Sequence, residues 1–225
     1  MKTVLFIHRS VGHNLIHDGS VYDLLKRRKT PFTFNDYDQN TDTLTDADGQ
    51  QQAPGFTFPG GNTRPADYAE IFSEEVAPHY QPIQDKALAH DIIIIKSCYP
   101  NSNIASDNEL AAIKDHYQSI AAFFALRKDK QLIILTSPPL VPLLTKKGHA
   151  DRARQLATWL QNETLATNVS VFNFFDLLAA PDQGRGANML RRTYRRWLPV
   201  DSHPNAKASR EIAPKFIDYL SSVKQ

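Results

Sequence analysis

A serine, an acid–histidine pair and several asparagines stand far apart in this 225-residue chain, and together they are a set that could do chemistry. Ser10 lies in the stretch VLFIHRSVG (residues 4–12), where an apolar run ends in a small polar residue with glycine two positions on. A serine hydroxyl attacks an acyl carbon only once a base removes its proton, and histidine is the side chain suited to that near neutral pH. His203, in VDSHPN (200–205), is a candidate base, and Asp201 is a carboxylate able to hold the imidazole in the productive tautomer. The oxyanion that develops needs donors aimed at it in advance, typically backbone N–H groups and an asparagine amide. The glycines of PGGNT (59–63) offer backbone of the first kind. Asn101 and Asn103, in KSCYPNSN (96–103), fit the second, and spacing does not separate them.

Such residues can meet only if regular elements bring them to one rim. Five short runs rich in β-branched and aromatic residues read as strands: 3–8, 31–36, 91–96, 131–136 and 169–174. Runs such as DIIIIK (91–96) and QLIILT (131–136) are continuously apolar rather than alternating, which suits central parallel strands covered on both faces. Helical patterns lie between them. Ser106 and Glu109 have the form of a capping box, and Leu110, Ile113, Tyr117, Ile120 and Phe124 then recur at helical spacing. Residues 150–166 and 205–220 behave alike, the latter with a kink expected at Pro214. Alternating strands and helices imply right-handed βαβ units in a single three-layer α/β/α domain spanning 1–225. In such sheets the ligand crevice lies beyond the carboxyl ends of the strands, where every candidate residue falls. The polar segment 38–64 reads as one long loop, and a loop of that length is usually functional or disordered.

Bulk properties narrow the partners. With 26 basic and 24 acidic residues the net charge is +2, too small to argue for nucleic acid as the main partner. No stretch approaches the ~18 apolar residues of a membrane span, and the four apolar residues at 4–7 are too few for a secretory signal. A cytoplasmic protein is therefore expected, with a small ester as its partner and no membrane insertion. The single cysteine, Cys98, follows a buried strand and reads as an inert small apolar residue rather than a nucleophile. His8 and His13 flank the serine and read as surface or supporting groups. Arg191, Arg192, Arg195 and Arg196 read as a solvated helix face. No zinc-ligand spacing and no glycine-rich phosphate loop follows any strand, so no cofactor is expected.

Taken together, these blocks resemble the SGNH/GDSL hydrolase superfamily. Ser10 matches the first block, with H-R-S where the family has G-D-S, and Gly61 the glycine of the second. Asn101 or Asn103 takes the place of the asparagine of G-x-N-D. DSHPN matches the last block, one residue shorter than the usual D-x-x-H-P-N. The resemblance implies a flavodoxin-like order for a parallel five-stranded sheet, and ester hydrolysis through an acyl-enzyme without a metal. It casts Ser10 as nucleophile, His203 as base, and Ser10, Gly61 and one asparagine as the oxyanion hole. Acetylated carbohydrates and small lipid esters are common substrates of the family. The rivals are a non-catalytic binding protein on the same fold and an acyltransferase using the same serine. The shortened D-S-H leaves one geometric question. In an extended segment, residues two apart have backbones about 6.6 Å apart, a span that an aspartate and an imidazole can close, whereas a turn could point the carboxylate away.

Overall fold

The computed structural model describes residues 1–163 and 165–223. Seven strands form one sheet: β1 (Lys2–His8), β2 (Phe32–Asp38), β3 (Thr43–Thr45), β4 (Gln51–Gln52), β5 (Ile92–Lys96), β6 (Gln131–Leu135) and β7 (Val169–Phe172). Their order is β4-β3-β2-β1-β5-β6-β7. The five parallel members thus have the flavodoxin-like order, the first strand lying between the second and third of the five. The five-stranded expectation is short by two. β3 and β4 add antiparallel to the free edge of β2, so 38–64 is not one loop but carries a small hairpin. Its sequence, TLT and QQ among polar residues, has too few apolar positions to register as strands, and pairing against β2 supplies the order.

The continuous apolar runs have their explanation in the two cores. Leu5, Ile7, Ile93, Ile95, Leu132 and Ile134 enter one cluster, while Val4, Phe6, Ile92, Ile94, Ile133 and Leu135 enter the other. Successive side chains point to opposite faces, and both faces are covered. On one face pack α1 (Val11–His17), α2 (Val21–Arg28) and α8 (Ala206–Ser222). On the other pack α3 (Pro65–Ile71), α4 (Gln81–Leu88), α5 (Asp107–Ala125) and α6 (Lys147–Asn162). A short α7 (Phe174–Leu178) follows β7 and feeds Phe174 to one core and Phe175 to the other. Ser106 caps α5 as its sequence predicts, its hydroxyl accepting from the Glu109 N–H at 3.1 Å. The last helix runs on through Pro214 from Ala206 to Ser222. No helix among the described residues is long and apolar enough to cross a membrane.

Candidate active site

The chain leaves β1 at His8 and enters α1 at Val11, so only Arg9 and Ser10 make the turn. Ser10 pays for that sharpness with φ 55° and ψ −97°, a region that a side chain bearing Cβ rarely occupies. Strain of this kind persists where the surrounding structure over-determines it, and functional sites are where it gathers. The turn is tight enough that α1 starts on top of His8. A Cβ on Gly12 would stand 2.4 Å from that of His8, so glycine is the residue that lets the helix sit there.

Ser10 Oγ meets His203 Nε2 in a hydrogen bond across 193 residues of sequence. On the other side of the ring, His203 Nδ1 lies 2.6 Å from Asp201 Oδ1. The same oxygen accepts the His203 backbone N–H at 2.8 Å. The D-S-H question is thereby answered by an Asx turn: the carboxylate takes the N–H two residues on, and that grip puts it against the ring. Asp201 and His203 side chains keep 20% and 28% of their surface, so the pair faces solvent at the rim. Burial disfavours the ionised Asp201, but the His203 N–H, its ring and the nearby Arg196 guanidinium outweigh it. The carboxyl therefore sits below the ordinary aspartate range. Tyr99 stands edge-on to the imidazole with centroids 5.1 Å apart.

Each residue of DSHPN has a task. Ser202 is buried, and its Oγ accepts the Val141 N–H at 3.0 Å, tying the segment to the loop after β6. Pro204 O accepts from Arg196 Nε at 3.3 Å. Asn205 caps α8 by accepting the Ala208 N–H at 3.1 Å, while its amide donates to Thr193 O and Arg195 O, both at 3.0 Å. A helix start and two loops thus fix the position of one imidazole.

The glycine turn lies against the end of β5. Cys98 N–H donates to Asn62 O at 3.2 Å, and Thr63 Oγ1 donates to Lys96 O at 2.8 Å. Gly60, Asn62 and Thr63 all have positive φ, at 62°, 71° and 49°. Gly61 does not, and the nearest atom to a Cβ placed there is Arg9 Nη1 at 3.5 Å. Neither backbone angle nor packing demands glycine at 61. The backbone N–H groups of Ser10 and Gly61 have no hydrogen-bond partner among the described residues.

The two asparagines part company. Asn101, on a 3-10 turn at Tyr99–Ser102, donates from Nδ2 to Asn62 O at 2.8 Å and to Cys98 O at 3.2 Å, so it sits on the glycine turn. Asn103 is turned to the start of α6, its Oδ1 accepting from Thr145 at 2.9 Å and meeting His149 Nδ1 at 3.0 Å. Sequence spacing of two could not report this, because the intervening 3-10 turn sends the two side chains to different neighbours. Asn62, which the sequence reading passed over as part of a turn, joins the candidates: its backbone oxygen anchors Asn101 and its side chain has no hydrogen bond among the described residues.

Three further titratable groups lie at or near the carboxyl ends of β1, β2 and β5. His8 is fully buried with Nε2 2.8 Å from Asp36 Oδ2, and Tyr22 OH donates to the same carboxylate. His13 Nδ1 is 2.6 Å from Asp38 Oδ2. Lys96 ends β5 fully buried, with Nζ donating to Ser97 O at 3.0 Å, and burial lowers its pKa. His8 is therefore not a surface group, whereas His13 is half-exposed and supports Asp38. Cys98 is buried at 1% exposure. The four arginines do not form a helix face: only a three-residue 3-10 turn, Arg192–Tyr194, is present, and the guanidinium groups turn to different neighbours. Arg191 is spent on the carbonyls of Asp176 and Ala179. Among the described residues no group of three or more His, Cys, Asp or Glu side chains converges on a metal position.

No family model and no curated protein sequence matches the chain. Solved structures do. A GDSL-like lipase from Bacteroides thetaiotaomicron superimposes with a TM-score of 0.50 at 13% identity, covering 98% of this chain and 87% of that one. The chain has the fold of the GDSL hydrolases. An acylhydrolase candidate from Bacteroides fragilis gives 0.52 at 13% identity, over 98% and 88%. A Streptococcus pneumoniae structure whose name refers to platelet activating factor gives 0.57 at 13%, over 96% and 83%. At this identity the GDSL likeness is one of fold, and the side chains must speak for the chemistry.

Proposed function

We propose that the protein is a serine hydrolase of carboxylic esters. The observation that carries this reading is the unbroken chain from Ser10 Oγ to His203 Nε2 and from His203 Nδ1 to Asp201, with the serine held at positive φ on a strand–helix turn. Ser10 Oγ attacks the acyl carbon while His203 Nε2 takes its proton, and Asp201 stabilises the imidazolium that forms. The tetrahedral oxyanion is held by the free N–H groups of Ser10 and Gly61, with an amide from the Asn62–Asn101 pair as side-chain donor. His203 then protonates the leaving alcohol. Water, activated by the same imidazole, hydrolyses the acyl-enzyme and restores Ser10. Acetylated carbohydrates and small esters suit an open rim of this kind. Turnover of p-nitrophenyl acetate tests the reading. Wild type should hydrolyse it, and Ser10→Ala should lower kcat by about 10³-fold or more while folding is kept. Equal turnover by the two proteins would reassign Ser10 to a turn.

A further inference from the structure

Beside the triad, the loop after β6 and the segment that precedes Asp201 enclose a cleft of about 340 Å³, lined by Arg192, Arg195, Arg196, Trp197, Leu143 and two prolines. Its charges are not balanced. Arg195 is half-buried with Nε on Leu190 O at 2.8 Å, and neither it nor Arg192 forms an ion pair with a carboxylate among the described residues. Burial and the neighbouring Arg192 charge both hold the Arg195 guanidinium below its ordinary range. Like charges kept close and partly stripped of water cost free energy, and an incoming anion offsets that cost. A guanidinium's planar fork also matches the two oxygens of a carboxylate.

The same two loops carry most of the exposed large hydrophobic side chains. Among the described residues seven large hydrophobic side chains are exposed, and five of them (Leu143, Leu144, Trp197, Leu198 and Val200) lie on these two loops, Trp197 at 88%. Large exposed apolar groups gathered beside a polar centre mark a binding surface. The cleft is also joined to the triad. Arg196 lines it and reaches to 3.6 Å from Asp201 Oδ2, and the Asn205 amide that caps α8 grips Thr193 O and Arg195 O from below.

We propose that this cleft holds a carboxylate borne on the ester substrate, with Arg192 and Arg195 on the carboxylate and Trp197 and Leu143 against a ring or other flat apolar body that carries it. The substrate class is then an ester that also carries a free carboxylate, such as an acylated acidic sugar or an O-acylated hydroxyaryl acid. This builds on the serine-esterase reading, and the test separates the two.

The test is binding of 3-methoxybenzoate and of its neutral isostere 3-methoxybenzamide, followed by calorimetry on the wild-type chain, Arg192→Gln/Arg195→Gln and a control, Arg28→Gln. The acid should bind wild type and the control at least tenfold more tightly than the amide does. That margin should shrink with added salt and vanish in the double variant, whose fold is checked by circular dichroism. The acid should also inhibit p-nitrophenyl acetate hydrolysis competitively. Acid and amide binding alike, acid binding that survives in the folded double variant, or inhibition that is not competitive would each overturn the proposal. If no ester is turned over by any form while arginine-dependent binding of the acid persists, the anion site stands and the esterase reading falls.

Discussion

Of the three histidine–carboxylate pairs within a few residues of Ser10 in sequence or space, two share their chemistry while their surroundings are opposite. His203 and Asp201 are 2.6 Å apart, open to solvent, and the second ring nitrogen meets the Ser10 hydroxyl. His8 and Asp36 are 2.8 Å apart, with side chains 0% and 3% exposed. The second ring nitrogen of His8 has no hydrogen bond, the nearest carboxylate oxygen being Asp38 Oδ1 at 4.0 Å. The pair alone does not make a catalytic group. The proposed chemistry needs access and a hydroxyl on the far nitrogen as well, which His203 has and His8 lacks, and α1 starts on top of the buried pair.

The largest effect that would sharpen this contrast is on the exposed pair. Asp201→Asn should keep the fold and lower kcat by roughly 10²–10⁴-fold, because the amide favours the wrong imidazole tautomer. The pH profile follows from the lowered Asp201 pKa. A carboxyl depressed on folding contributes stability that is present above its unfolded value, about 3.9, and is lost as the pH falls through its folded value. Asp201 is accordingly ionised throughout the working range, and no ionisation of this carboxyl should enter the kcat/KM profile above about pH 4. A limb in that range that disappears in Asp201→Asn would mean that the carboxylate is not held as described.

The buried pair should respond in the opposite currency. His8→Phe removes one partner and leaves Asp36 in the interior with only Tyr22, which should cost about 3–5 kcal/mol of stability, read by urea unfolding. The kcat of the molecules that remain folded should fall less than tenfold. A loss of activity as deep as that of Asp201→Asn, with stability unchanged, would make His8 a participant in the chemistry and erase the distinction.

Lys96 gives the smallest effect and tests the same buried region from the side of β5. Its ammonium is buried beside the strand that carries His8, and burial lowers its pKa. The cost of burying that charge is present in full below the folded pKa and disappears as the pH rises towards the ordinary lysine value of about 10.4. Lys96→Met should therefore be more stable than wild type by about 1–4 kcal/mol near pH 6, with the gain shrinking towards pH 10 in the same unfolding assay. A difference that does not change with pH would show that the charge is balanced in the folded state.

How much of this was legible in the sequence differs between strand and turn. The five parallel strands could be read because burial on both faces writes itself as runs such as IIII at 92–95, whereas their order followed from the family resemblance and not from the runs themselves. The β3–β4 hairpin could not, since TLT and QQ gain their order from the edge of β2 rather than from their own residues. At the site, Ser10, Asp201 and His203 stood out because a serine, an acid and a histidine fell together on one expected rim in blocks that resemble a known family, although a serine so placed is by itself most often a cap or turn residue. The split between Asn101 and Asn103 did not, because it depends on a single 3-10 turn. The burial of His8 was hidden for another reason: a histidine after four apolar residues looks like the end of a strand, and only Asp36 and Tyr22, from other elements, make its burial affordable. The arginines of 191–196 were misread as one helix face because periodic spacing does not reveal that the backbone turns through a single 3-10 step.

The central claim is that Ser10 is a nucleophile driven by His203, and the direct measurement is where a covalent ester-mimic lands. The wild-type chain and His203→Ala are treated with diethyl p-nitrophenyl phosphate and digested, and the phosphorylated peptide is sequenced by mass spectrometry. The account predicts stoichiometric labelling of Ser10 in wild type, with the rate reduced by about 10³-fold or more when His203 is removed. Labelling of another residue, or Ser10 labelling at an unchanged rate in His203→Ala, would contradict it.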